Sequence, residues 1–196
     1  MPKPDVSDER IPQILHAAAQ MFSQYGIDGT SMAQIAKSAD VSKAMIYYYF
    51  DSKEALVSAL VRNLFDADQA GLDELIESNT PALERMTQYM TDLADLLESN
   101  AVLYPIFAEF KARSARSEDV QRIMQAYFSR YVDAFAQIIQ QGIDTGHVRP
   151  QVDPEKAALA LTALVEGCIV LRHNLGYPIA TLLSTSIETF LEGLAT

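Results

Sequence analysis

Residues 31–50 read SMAQIAKSADVSKAMIYYYF, and the fold follows from this stretch. Its apolar spacing predicts two short helices joined by a tight turn at residues 39–41. Ser31, with Gln34 three residues later, has the capping-box pattern that starts a helix, and Ser42 can cap the second helix. Two short helices joined in this way, and braced by a helix that precedes them, make a helix-turn-helix.

The rest of the chain is helical by the same criterion. Apolar residues recur at steps of about three and four over residues 9–25, where Gly26 can end the helix. Beyond residue 53 the pattern continues through about six longer helices, and no alternating run indicates a strand. We therefore predict an all-α fold of about nine helices. It divides into a three-helix helix-turn-helix domain at residues 1–53 and a larger helical bundle at residues 54–196.

The charge of the chain is strongly acidic but unevenly distributed. Lys and Arg together number 15 and Asp and Glu 26, for a formal net charge of −11, which argues against a passive nucleic-acid coat. Residues 1–53 carry 5 basic and 6 acidic residues, so nearly all of the excess negative charge lies in residues 54–196. A protein whose N-terminal part binds DNA, and whose C-terminal part is repelled by it, would have this charge distribution. An acidic body that aids solubility would have it too.

Cysteine content and the N-terminal sequence indicate the compartment. A single cysteine, Cys168, excludes an intramolecular disulfide and fits a reducing cytosol. The first residues, MPKPDVSDERIPQ, are polar and lack the apolar segment of a secretory signal. No uncharged apolar stretch is long enough to cross a bilayer. We expect a cytoplasmic protein without a membrane partner.

The second helix of a helix-turn-helix is the one that enters the major groove of DNA. In this helix Lys43 can donate to a guanine edge or a phosphate, and Ala44 and Met45 can touch a thymine methyl. The hydroxyls of Tyr47 and Tyr48 can donate to phosphate oxygens, which position a protein without reading sequence.

Lys53 occupies an unusual place for a cation. It falls in the first turn of the fourth predicted helix, where a positive charge opposes the helix macrodipole. A nearby phosphate would reverse this penalty, because helix N-termini favour anions. The alternative is a solvated surface lysine whose charge is offset by Glu54.

The segment from Ile11 to Leu60 contains five short motifs. They are Phe22-x-x-Tyr25-Gly26, Thr30-Ser31-Met32-x-x-Ile35-Ala36, Val41-Ser42-Lys43, Ile46-Tyr47-Tyr48-Tyr49-Phe50 and Ser52-Lys53-Glu54-x-Leu56. This segment resembles the N-terminal DNA-binding domain of the tetracycline-repressor (TetR) family. Three details differ from the common family pattern: Asp40 replaces a frequent glycine, Ala44-Met45 replaces Gly-Thr, and Tyr49 replaces histidine. Asp tolerates left-handed backbone, and Tyr49 can still donate to a phosphate.

The resemblance implies a homodimeric repressor of transcription. Such a protein binds a double-stranded palindromic operator and releases it when a small-molecule effector binds the C-terminal domain. By motif position, Tyr47 and Lys53 would contact phosphates. The complete predicted DNA-binding set is Thr30, Ser31, Ser42, Lys43, Ala44, Met45, Tyr47, Tyr48, Tyr49 and Lys53.

The C-terminal part is expected to bind ligand and to dimerise. The run from Ala157 to Leu171 carries one charge, Glu166, and a helix this apolar needs cover on every side. We expect the last two helices, at about 154–172 and 178–194, to form a four-helix bundle with their copies in a partner subunit. Burial within one chain is the alternative.

Aromatic stripes in the middle helices are typical of core and also of a ligand pocket between helices. A pocket of this kind would take a largely apolar effector. Glu166 is either a salt-bridge partner or a residue that recognises a cation. The candidate ligand-binding residues are Tyr89, Phe107, Phe110, Tyr127, Tyr131 and Glu166.

No catalytic pattern is present in the sequence. It contains no G-x-S-x-G, Walker loop, G-x-G-x-x-G or H-E-x-x-H. Cys168 and His173 would fall on different faces of a helix, so we expect no metal site, no cofactor and no enzymatic activity. The alternative function is an all-α dimeric ligand-binding or protein-interaction module without DNA binding. The acidic balance favours it, whereas Lys43, Lys53 and the tyrosine cluster argue against it.

Overall fold

The computed structural model describes residues 10–196, apart from the side chains at positions 64, 67–70 and 102. Within these residues the fold is all-α, as predicted, and no described helix is both long and apolar enough to span a membrane. The elements are α1 (Arg10–Gly29), α2 (Met32–Ser38), α3 (Lys43–Tyr49), α4 (Lys53–Glu77), α5 (Ala82–Ser99), a 3₁₀ turn (Ala101–Leu103), α6 (Tyr104–Arg113), α7 (Glu118–Asp144), α8 (Pro154–Leu175) and α9 (Ile179–Leu194).

Local capping explains where several helices begin and end. The Ser31 side chain accepts a hydrogen bond from the Gln34 N–H, and the Gln34 side chain accepts one from the Ser31 N–H, so the predicted capping box is formed. Ser42 caps α3 and Asp153 caps α8 by the same mechanism. Gly176 ends α8 in the left-handed conformation (φ 73°), which glycine adopts without strain.

The chain packs as two compact units. The first unit contains the described residues up to Asp66 together with Ala101–Met124. Here α1 packs against α2 and α6, and α2 packs against α3. Phe22 and Phe110 are almost fully buried in its core. The three helices predicted to form the helix-turn-helix therefore share an apolar core with α6.

The second unit contains Ala67–Asn100 and Gln125–Thr196. In it α9 packs against α5 and α8, and the core is built from apolar side chains of these helices and of α7. Both units are defined by packing alone. The functional boundary that the sequence predicts at residue 53 stays a prediction.

The turn between α2 and α3 uses left-handed backbone at Asp40, where φ is 51°. The turn is held by a hydrogen bond from the Val41 N–H to the Ala36 carbonyl (3.0 Å). It is also held by the Gln13 side chain, which donates to the Ala39 carbonyl (2.6 Å). Asp is one of the few residues that accept this backbone conformation at low cost.

Replacing Asp40 by a β-branched residue should therefore destabilise the turn. We expect Asp40→Val to lower the free energy of unfolding by about 1–2 kcal/mol, the usual cost of left-handed backbone in such residues. Asp40→Gly should leave it within about 0.5 kcal/mol of the native value, because relief of strain offsets the added chain entropy. Urea unfolding monitored by circular dichroism measures both. Asp51→Val, at an exposed position, is the control, and an equal loss there would contradict the explanation.

Candidate functional site

One residue anchors α3, the second helix of the predicted helix-turn-helix, and most of the remaining surface of the helix is open. Ile46 is completely buried, whereas Tyr47 and Tyr48 are 46% and 52% exposed. The Lys43 ammonium lies 5.7 Å from the centre of the Tyr47 ring, within cation–π distance. The exposed residues at this surface are Ser42, Lys43, Ala44, Met45, Tyr47 and Tyr48.

Tyr49 and Ser31 flank this surface and have partners within the protein. Tyr49 is half-buried and packs edge-on against Tyr48, with ring centres 5.2 Å apart. Ser31 is exposed, but its hydroxyl lies 2.7 Å from the Gln34 side-chain oxygen in the capping box. Both can therefore support α2 and α3 whether or not they also touch DNA.

Thr30 does not occupy the surface position that a DNA contact needs. Its side chain is only 2% exposed. Its hydroxyl lies 2.9 Å from the Gly26 carbonyl oxygen and 3.2 Å from that of Met21, both of which can accept its proton. The last carbonyls of a helix lack partners in the helix itself, so a hydroxyl that follows α1 is drawn inward to pair with them.

Lys53 has partners that neither sequence interpretation named, and its contact with DNA stays a prediction. It is half-buried, and its ammonium donates to the carbonyl oxygens of Ile27 (2.8 Å) and Thr30 (3.0 Å), with that of Asp28 at 3.5 Å. The Ile27 and Asp28 carbonyls lie in the last residues of α1, after its break at Gly26, and Thr30 directly follows the helix. The sequence drew attention to Lys53 but gave no sign of these partners, which lie 23 to 26 residues earlier.

A second group of charged residues reaches the same segment from α6, and sequence reasoning missed it. A Glu109 carboxylate oxygen accepts a hydrogen bond from the Ile27 N–H at 3.0 Å. Arg113 donates to Glu109 (3.0 Å) and to Asp28 (2.7 Å). Burial acts to lower the pKa of the Arg113 guanidinium, but hydrogen bonds and charge attraction from Asp28 and Glu109 outweigh it and raise that pKa. No motif signals a contact between residues 82 to 85 positions apart.

The six candidate ligand-binding residues are divided between the two units. Phe107 and Phe110 belong to the first unit, where Phe107 packs edge-on against Phe65 and Phe110 is 1% exposed. The other four belong to the second unit. There the hydroxyl of Tyr127 donates to that of Tyr131 at 3.0 Å. The ring centres of Tyr131 and Tyr89 lie 5.9 and 5.8 Å from that of Phe135. Glu166 is half-buried on α8.

A cavity of about 560 Å³ lies in the second unit, between the end of α4 and α5. Tyr89 contributes to its lining, together with the exposed acidic residues Glu74, Glu84 and Asp92. Arg85, also at this cavity, is 6% exposed, and burial lowers the pKa of its guanidinium. The exposed part of the lining of this cavity is therefore acidic.

Arg85 connects three helices of the second unit. It donates to the carbonyl oxygens of Leu75 (2.7 Å) and Ile76 (3.2 Å) near the end of α4. It also donates to the Gln141 side-chain oxygen on α7 at 2.6 Å. The carbonyl end of α4 provides the negative partner that the buried guanidinium needs.

Two families match this chain along its length. Residues 14–60 match the family described as "Bacterial regulatory proteins, tetR family". Residues 82–194 match "BetI-type transcriptional repressor, C-terminal". The chain belongs to the tetR family of bacterial regulatory proteins. The resemblance seen in the sequence is confirmed, and this tetR-family protein is a DNA-binding transcriptional regulator.

Relatives of this regulator carry similar descriptions. It is 27% identical over 149 residues to the HTH-type transcriptional repressor KstR2 of Mycobacterium tuberculosis, covering 74% of this chain and 72% of KstR2. It is 47% identical over 68 residues to the HTH-type transcriptional regulator RutR of Escherichia coli K12, covering 35% and 32%. The structure of the regulator FadR from Bacillus subtilis in complex with stearoyl-CoA has the same fold, with a TM-score of 0.78 and 20% identity over 93% of this chain and 98% of that one.

Arg85 allows a test of how the second unit of this regulator is held together. We expect Arg85→Met to lower the free energy of unfolding by about 2 kcal/mol, because the Leu75 carbonyl and the Gln141 side chain lose their charged donor. Arg122→Met, at an exposed ion pair on α7, is the control and should cost less than about 0.5 kcal/mol. Urea unfolding compares the two. An equal effect would show that the Arg85 hydrogen bonds contribute little.

Proposed function

We propose that this protein is a ligand-responsive transcriptional repressor that binds a palindromic operator as a homodimer. In this proposal residues 1–53 bind DNA, and residues 54–196 bind a small molecule and form the dimer. The observation that carries it is the exposed face of α3, where Lys43, Tyr47 and Tyr48 stand on a helix anchored by one buried residue. Relatives described as repressors, KstR2 among them, support the direction of regulation.

The proposed DNA contacts follow from this face. Lys43 donates to a guanine edge or a phosphate, Ala44 and Met45 meet base edges, and Tyr47 and Tyr48 donate to phosphates. Ser31, Ser42 and Tyr49 border the face and complete the proposed interface. Thr30 and Lys53 are left out of it, because their polar atoms already bind the end of α1. No structural observation favours the alternative of a module that does not bind DNA.

The proposed dimer interface lies on α8 and α9. Large apolar side chains are exposed along α8, among them Leu159 (61%), Leu171 (44%) and Leu175 (62%). Between them stand Ala163 and Gly167, small residues that let another helix approach closely. An exposed apolar patch of this kind on an otherwise acidic chain favours association with a second copy.

The proposed effector site lies in the second unit, near Tyr89, Tyr127, Tyr131 and Glu166. These side chains offer hydroxyls and a carboxylate beside aromatic rings, which suits a largely apolar molecule with a polar end. The complex of FadR with stearoyl-CoA is one example of this fold with a ligand that joins an apolar acyl chain to a polar group. We propose that effector binding moves the two recognition helices of the dimer away from the separation of about 34–36 Å that one turn of DNA requires.

Binding to duplex DNA tests the function directly. The probes are fragments from around the protein's own gene, together with duplexes selected from a random pool. We expect a specific duplex to bind with a Kd of about 10⁻⁸–10⁻¹¹ M. Lys43→Ala should weaken binding by about tenfold or more. If Lys43 contacts a phosphate, the salt slope should also become shallower by about 0.9.

Arg149→Ala is the matched control for this experiment, because it removes one exposed positive charge from the second unit. Its affinity for DNA should stay within about twofold of the native value, since Arg149 lies outside the proposed DNA-binding residues and the attraction between exposed charges is screened by salt. Equally weak binding of the native protein to every duplex in both sets would contradict the proposed function.

Light scattering tests the dimer. We expect the native protein to be a dimer, and Leu171→Glu to be a monomer, because burying an unpaired carboxylate in an apolar interface costs several kcal/mol. The variant should also lose affinity for the operator, since each half-site would then bind independently. Thr87→Glu, exposed on α5 of the same unit, is the control. A dimeric Leu171→Glu variant would place the interface elsewhere.

A further inference from the structure

We propose that Glu109 and Lys53 are positioning residues for DNA recognition. From α6 and α4 they hold residues 26–30, where α1 meets α2, and so fix the helix-turn-helix in the arrangement that fits DNA. This inference rests on the proposed DNA-binding function. Neither residue belongs to the exposed face of α3, and Glu109 carries the charge that DNA repels.

The segment needs outside support because of its backbone. Gly26 interrupts α1 with φ 74° and ψ 164°, a region that is essentially restricted to glycine. Helical geometry is therefore lost within a segment that must also join α2 in a defined direction. Neighbouring helices supply partners to the Ile27 N–H and to the Ile27 and Thr30 carbonyls.

In this segment a carboxylate binds a backbone N–H, and an ammonium binds backbone carbonyls. The Glu109 carboxylate accepts the Ile27 N–H at 3.0 Å, and the Lys53 ammonium donates to the Ile27 and Thr30 carbonyls at 2.8 and 3.0 Å. Arg113 reinforces the arrangement by pairing with both Glu109 and Asp28. Charge-assisted hydrogen bonds of this kind are roughly twice as strong as neutral ones.

The effect of this support passes to the recognition helix through short connections. Thr30 immediately precedes Ser31, the N-cap of α2, and α2 joins α3 through the turn at Asp40. The Gln13 side chain ties α1 to the same turn at Ala39. Recognition requires contact groups to be held within about 0.5 Å, so a loosened α1–α2 segment displaces α3 relative to the DNA.

Removal of Glu109 should change the affinity for DNA in opposite directions, depending on whether the residue acts through its charge or by positioning the segment. If Glu109 acted only through its charge, removing it would strengthen binding to polyanionic DNA. As a positioning residue, its removal must weaken binding. This difference in sign makes Glu109 the most informative position for an experiment.

The first experiment measures the affinity of full-length Glu109 variants for the best duplex from the random-pool selection. We expect Glu109→Ala to bind about tenfold more weakly, the loss that one charge-assisted hydrogen bond typically produces. Glu109→Gln should recover most of this loss, because its amide oxygen can still accept the Ile27 N–H. The control Glu118→Gln removes an exposed acid of the same unit and should bind as tightly as the native protein or slightly more tightly. Tighter binding by Glu109→Ala would overturn the proposal.

The second experiment separates the two roles of Lys53. If its ammonium contacted a phosphate, Lys53→Met would make the salt slope shallower by about 0.9. As a positioning residue, it should weaken binding about tenfold while the slope stays unchanged, and Lys53→Arg should recover part of the loss because it restores a cationic donor. A shallower slope in Lys53→Met would remove Lys53 from the proposal.

Hydrogen exchange followed by mass spectrometry gives a readout that does not depend on DNA. The peptide that contains residues 26–31 should exchange faster in Glu109→Ala and Lys53→Met, while peptides from α5 and α9 keep their native rates. If a variant loses global helicity by circular dichroism, Arg113→Gln replaces it in both measurements. Native exchange at residues 26–31 in folded variants would overturn the proposal. Failure of the native protein to bind any duplex would contradict the proposed function instead, and the exchange result would still decide whether these side chains hold the segment.

Discussion

The end of α1 carries backbone groups that the helix cannot pair by itself, and three side chains pair with them. Thr30 pairs with the Gly26 carbonyl, Lys53 with carbonyls further along, and Glu109 with an N–H. The helix has 20 residues and is broken at Gly26, so it leaves such groups without partners of its own. A buried polar group without a partner costs about 1–3 kcal/mol. The placement of α2 and α3 depends on how these groups are satisfied, since both follow directly from this point in the chain.

The recognition helix shows the opposite arrangement, with few internal ties and a large free surface. Only Ile46 is buried, so most of its short length remains available to a partner. Such a helix gains its stability from the elements behind it rather than from its own contacts, because seven residues are too few for a stable isolated helix. The exposed helix α3 therefore depends on the support that Lys53 and Glu109 give to the segment between α1 and α2.

Local chemistry was predictable from the sequence, whereas long-range partners were not. Ser31 and Ser42 cap their helices within four residues, and Asp40 adopts the backbone that its side chain tolerates, so each could be predicted without tertiary information. Thr30 has the sequence context of a surface residue but turns inward to unpaired carbonyls. The helical spacing of apolar residues around Phe107 and Phe110 indicates that they are buried. This spacing does not reveal which core the helix joins. Glu109 lay outside every motif, because its partner is a backbone N–H.

A ligand changes DNA affinity only if it binds two arrangements of the regulator with different free energies. The helix α4 begins in the first unit and ends in the second. Its first residue, Lys53, holds the end of α1, and its last turn is held by Arg85 through the Leu75 and Ile76 carbonyls. Both ends of α4 thus join a cation to helix-terminal carbonyls. Because charge-assisted hydrogen bonds are roughly twice as strong as neutral ones, substitutions at Lys53 and Arg85 measure how firmly each end of α4 is held within its own unit.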